Sequence, residues 1–118
     1  MAFVASDVTY TINSRRLEGV AGERSVIIAT LTFGAGSEQY TQAAGVPLSL
    51  SKLGLYRQIE SLTVLDSGAS AYWWSWKRSD NSLHAFVAAN DVSGGVRTEV
   101  TDGTNPVTQT LVVKVVGW

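Results

Sequence analysis

Ala71-Tyr-Trp-Trp-Ser-Trp76, the polar stretch Lys77-Arg-Ser-Asp-Asn-Ser82 and Leu83-His-Ala-Phe-Val87 together form the strongest structural signal in the chain. Two runs rich in β-forming residues joined by a short polar segment predict a β-hairpin. On a strand, side chains alternate between faces, so Tyr72, Trp74 and Trp76 share one face while Trp73 and Ser75 share the other. Three of the four tryptophans fall within four positions, and the first face, which takes two of them with Tyr72, is wide and apolar. Buried, each ring removes roughly 150–250 Å² from water and the face is the centre of a core. Exposed, the same row is a platform for stacking sugars or anchoring a partner.

Reading towards the N-terminus, Ile59 to Leu65 is a β-rich run closed by the turn signal Asp66-Ser-Gly68. Leu48 to Leu53, ending at Gly54, fits either a helical turn or an extended edge. Glu38-Gln-Tyr-Thr41 reads as a brief strand ahead of Gly45-Val-Pro47. Arg24 to Phe33 is β-branched and apolar on both faces, so a central strand covered from both sides is expected. Val8 to Ile12 alternates as a first strand, interrupted by Asn13-Ser-Arg-Arg16. Leu17 to Val20 then gives a short second run closed at Ala21-Gly-Glu23.

Towards the C-terminus, Asp91 to Gly95 is a turn, Val96 to Val100 an edge strand and Asp102 to Pro106 a loop. Thr108 to Val116 alternates, with Leu111, Val113 and Val115 on one side and Thr110, Val112, Lys114 and Val116 on the other. About eight short strands with regular turn signals, and no long amphipathic helix, predict an all-β chain. The expected fold is a single antiparallel β-sandwich, jelly-roll-like, spanning residues 8–118 with at most one short helix and preceded by an N-terminal arm at residues 1–7.

Composition narrows function by exclusion. The 118 residues suit one domain. Charged residues make up 16 %, against roughly 25 % in typical soluble proteins, so Ser, Thr, Gly and apolar groups must form much of a surface suited to protein contact. Net charge is −1 and the basic residues are scattered apart from Arg15-Arg16 and Lys77-Arg78, which read as solvated hairpin or loop positions, so nucleic acid is not an expected partner. With no cysteine there is neither a disulfide framework nor a thiolate metal site. The opening residues lack the pattern of a secretory signal and no run is long enough for a membrane span, so a soluble protein made in a cytoplasm, without membrane contact, is expected.

No catalytic residue, cofactor or metal is expected. His84 is the only histidine and reads as a half-exposed strand residue. The carboxylates occur singly, mostly in or beside turns, as at Asp66, Asp80, Asp91 and Asp102, and the glycines match no phosphate loop.

With the strands laid out, the chain resembles the small head decoration, or cement, proteins of tailed bacteriophages. The resemblance rests on Thr30-Leu-Thr-Phe-Gly34, on Ile59-Glu-Ser-Leu-Thr-Val-Leu-Asp-Ser-Gly68 with the aromatic strand after it, on Trp76 to Leu83 continuing into Phe86, and on Leu111-Val-Val-Lys-Val-Val-Gly-Trp118. It implies a non-enzymatic virion structural protein, made in the host cytoplasm and carried on the outer capsid. Such a protein binds the major capsid protein and commonly assembles as a homotrimer. Candidate partner contacts are Ala2, Phe3 and Val4 in the arm, Arg15, Arg16, the outward Trp73, and Trp118, which packs either into its own domain or into a partner. The alternatives are a carbohydrate-binding or host-recognition domain using Tyr72, Trp74 and Trp76, and a head–tail connector or tail component.

Overall fold

The computed structural model describes residues 2–18, 24–34, 36–68, 72–88 and 97–118. The turns expected at Ala21 to Glu23 and Asp91 to Gly95 lie outside the described residues.

Among the described residues, eight strands are formed: β1 (Thr9–Glu18), β2 (Arg24–Phe33), β3 (Val46–Pro47), β4 (Ile59–Asp66), β5 (Trp73–Lys77), β6 (Ser82–Ala88), β7 (Arg97–Glu99) and β8 (Gln109–Gly117). They build two antiparallel sheets packed as a sandwich, the fold class expected. The first has the order β1-β2-β8-β4. In the second, β6 pairs with β5 on one side. Its other side is shared, β3 meeting Leu83 and Ser82 and β7 meeting Phe86 to Ala88.

Alternation explains the centre of the first sheet. Leu111, Val113 and Val115 of β8 and Ile27, Ala29 and Leu31 of β2 are fully buried, and the two strands pair without a break from Ser25↔Gly117 to Phe33↔Gln109. The opposite faces are only half-buried, at Ile28, Thr30, Thr32, Val112 and Val116. The expectation that β2 is covered on both sides therefore holds for one face.

The first strand differs from expectation. Asn13 to Arg16 does not interrupt it: β1 is one ten-residue strand, with Arg15 opposite Ile27 and Arg16 opposite Val26. A register shift between Ile12 and Ser14 absorbs the polar break as a bulge, and the Asn13 side chain donates to Thr30 Oγ1 at 2.8 Å. The two arginines are thus strand residues, not loop residues.

The predicted hairpin is present as β5 and β6, with Trp76 opposite Leu83 and Trp74 opposite Ala85. Its turn ends on Asn81 in the left-handed region at φ 51°, a conformation Asn tolerates. Asn81 also ties the turn down, accepting from Trp76 Nε1 at 3.0 Å and donating to Leu48 O at 3.2 Å. Between β3 and β4, Ser51–Leu53 forms a single 3-10 turn closed by Gly54 at φ 80°, which settles the helical-turn alternative for that leucine stretch.

Candidate functional site

The aromatic face points inward. Trp74 is 7 % exposed, and Tyr72 and Trp76 are partly buried against the same core. Trp74 meets Phe33, Tyr40 and Tyr72 edge-on, with ring centroids 5.0, 6.4 and 6.1 Å apart, the geometry that aromatic quadrupoles favour. Its indole N–H donates to the buried Gln109 Oε1 at 3.3 Å. The row Tyr72, Trp74, Trp76 is therefore not an open platform. Trp73 faces outward and is 46 % exposed, as alternation requires.

The other sequence candidates separate into packed and exposed groups. Phe3 is 2 % exposed and stands edge-on to Phe33 at 5.9 Å, so this arm residue belongs to its own core and not to a neighbour. Ala2 bridges to Gln39, while Val4 is 53 % exposed. Trp118 packs into its own domain: its carbonyl accepts from the Arg57 and Gln58 amides and its amide donates to Gln58 O, with the Arg24 guanidinium 5.9 Å from its ring. Arg15 donates to Gly54 O and Ser25 Oγ, and Arg16 is exposed.

A polar cluster around His84 was not foreseen. His84 is 4 % exposed, not half-exposed. Residue alternation places it on the outer face of β6, but β7 and the segment around Tyr40 and Gly45 close over it. Nδ1 lies 2.8 Å from Glu99 Oε2, and Nε2 lies 3.2 Å from Asp80 Oδ2 and 2.9 Å from Ser82 Oγ. Ser82 donates to Asp80 Oδ1 at 2.6 Å. Tyr40 donates to Glu99 Oε2 at 2.5 Å and accepts the Ala85 amide at 3.0 Å.

The Ala85 contact has a topological cause. Ala85 lies in the gap where β3 has ended and β7 has not begun, so its N–H has no strand partner, and the Tyr40 hydroxyl supplies one. Gly45 lets the chain pass close by: at φ 59°, a Cβ there would sit 2.6 Å from Leu83 O and 2.9 Å from His84 Nε2.

The cluster shifts two protonation equilibria. Burial, reinforced by the hydrogen bond to the Glu99 carboxylate, pushes the Tyr40 hydroxyl well above the usual tyrosine range, against the opposing Ala85 amide. Partial burial alone would raise Asp80. The hydrogen bonds from Ser82 and His84, with the charges of His84 and Lys77, outweigh it and hold the carboxyl below its ordinary value.

Ser82, His84 and Glu99 have the spacing of a nucleophile, a base and an orienting carboxylate. Ser82 is fully buried and its proton is directed to Asp80. A depression of about 250 Å³ reaches the cluster, lined by His84 and Glu99 together with Ser75, Trp76, Lys77 and Phe86. No sequence signal marks this cluster, because His84 and Glu99 meet through the pairing of β6 with β7 and Tyr40 reaches them from outside the named strands. Comparison of the chain with protein-family models, curated proteins and solved structures finds no match.

Proposed function

We propose that the protein is a non-enzymatic virion structural protein that decorates a tailed-phage capsid by binding the major capsid protein shell, working as a homo-oligomer. The supporting observation is the division of its apolar groups. The aromatic row that would have served a ligand is spent on the core, while Val4, Leu17, Tyr56, Leu65, Trp73 and Val107 stand exposed around the sandwich. Exposed Tyr, Trp and aliphatic groups on a sparsely charged surface are the material of protein–protein contact. The resemblance in sequence layout supplies the identity of the partner and the expectation of a trimer.

The test mixes purified protein with undecorated capsids and, separately, with a glycan array, while light scattering records mass in solution. Saturable capsid binding without a glycan signal is the expected result and yields the copy number. Glycan binding without capsid binding would overturn the reading, and ring assembly without shell binding would move the protein to the connector or tail.

A further inference from the structure

The folded chain is electrically lopsided in a way its scattered basic residues do not suggest. The C-terminal end of β1, the N-terminal end of β2, the loop before β4 and the β5–β6 turn all lie at one end of the sandwich. They bring together Arg15, Arg16, Arg24, Arg57, Lys77 and Arg78, six of the nine Lys and Arg residues. At this end Glu18 stands opposite Arg24 in the β1–β2 ladder, Glu60 pairs with Arg24 at 3.1 Å, and Asp80 is bound by Ser82 and His84. Asp7 and Asp66 lie at the opposite end of the first sheet, beside the first residues of β1 and β8.

Within this end, Arg57 and Arg78 stand on the rim of one depression of about 160 Å³, with Gln58 and Asn81 beside them and Trp76 and Ile59 beneath. Both arginines are exposed. Among the described residues neither has an ion-pair partner, whereas Arg15 and Arg24 are held by groups of the chain itself. The volume falls below the roughly 300–1,000 Å³ of small-molecule pockets and suits a single side chain. Next to it in the chain, Tyr56 is 95 % exposed, a residue type that anchors interfaces beside Arg.

We infer that this end is a docking surface for an acidic segment of a partner protein, whose carboxylate side chain seats between Arg57 and Arg78 above Trp76 while Tyr56 takes an apolar neighbour. Guanidinium forks match a carboxylate in two parallel hydrogen bonds, and a partly dry floor strengthens them. A nucleic acid backbone fits less well, since it needs a long track of cations, whereas Arg57 and Arg78 converge on one small depression. The inference rests on the capsid reading for the partner's identity but not for its chemistry.

The test compares the wild-type protein, the double variant Arg57→Gln/Arg78→Gln, and Lys114→Gln as a charge control on the exposed face of the first sheet. Each is titrated with undecorated capsids, with poly-L-glutamate and with a single-stranded oligonucleotide of matched charge. Charge-assisted hydrogen bonds of this kind give about tenfold loss for each arginine removed, so the double variant is expected to bind capsids and poly-glutamate about a hundredfold more weakly, with Lys114→Gln unchanged. Capsid binding equal in wild type and double variant overturns the inference and leaves the capsid reading standing. Loss of poly-glutamate binding in the double variant alone, where even the wild type ignores capsids, overturns the capsid reading and upholds the inference. Tighter binding of the oligonucleotide than of poly-glutamate, or no binding of any probe, overturns it.

Discussion

Replacing Tyr40 by Phe removes one oxygen atom and keeps the ring, which is 1 % exposed and packed against Trp74 and His84. Two short bonds and a longer contact to His84 Nδ1 at 3.3 Å vanish with that oxygen. The Ala85 amide, buried in the gap between β3 and β7, loses its acceptor, and an unsatisfied buried amide costs about 1–3 kcal/mol. Glu99 loses a charge-assisted donor. Its side chain is 26 % exposed, so water replaces part of that bond and about 1 kcal/mol is the reasonable share. The expected destabilisation is therefore about 3 kcal/mol, a large part of the roughly 5–15 kcal/mol that holds a domain folded.

Urea unfolding followed by tryptophan fluorescence reads this directly, as a lower midpoint with an unchanged slope. Tyr10→Phe is the internal control. Tyr10 also accepts a backbone amide, from Ser49 at 2.8 Å, but it is only partly buried, so about 1 kcal/mol is expected there. A Tyr40→Phe loss under about 1 kcal/mol, or one no larger than that of Tyr10→Phe, would refute the claim that the hydroxyl completes the sheet.

Other expectations follow from the same geometry. Trp74→Ala should cost about 3–5 kcal/mol, as for large buried aromatics, while Trp73→Ala costs under about 1 kcal/mol; equal losses in calorimetry would mean that the two faces of β5 are wrongly assigned. Gly45→Ala should lower stability by about 2 kcal/mol or more, because the side chain would meet Leu83 O and His84 at a positive φ; a stabilised variant in thermal melts contradicts this. Asp80 has a folded-state value below its unfolded one, so its contribution is fully present above about pH 4 and is lost as pH falls through the lower folded value. The stability gap between wild type and Asp80→Asn should then close in acid, and a gap that widens on acidification is the failing result. Tyr40 is shifted the other way, so its contribution is complete below the unfolded value of about 10 and declines as pH rises through the higher folded value. Wild type should lose more stability than Tyr40→Phe in alkaline urea titrations, and parallel curves would show the reasoning to be unsound.

The alternation of Leu111, Val113 and Val115, the division of Tyr72, Trp74 and Trp76 from Trp73, and the two-run hairpin were all legible in the sequence. Side-chain direction on a strand repeats every two residues and depends on nothing beyond the strand itself. Two local signals misled for a physical reason. Asn13 to Arg16 looks like a break because polar residues favour turns, yet a bulge carries them inside β1. Phe3 looks like part of a free arm, yet the end of β2 places Phe33 within reach of its ring. Only tertiary structure decided which way the three-ring face turned, because that depends on the other sheet lying over it. The same holds for the meeting of Tyr40, His84 and Glu99 and for that of Arg57 and Arg78. Residues 15 to 59 positions apart become neighbours through the order in which strands join two sheets, and that order is set by burial summed over the whole chain and not by any short stretch of it.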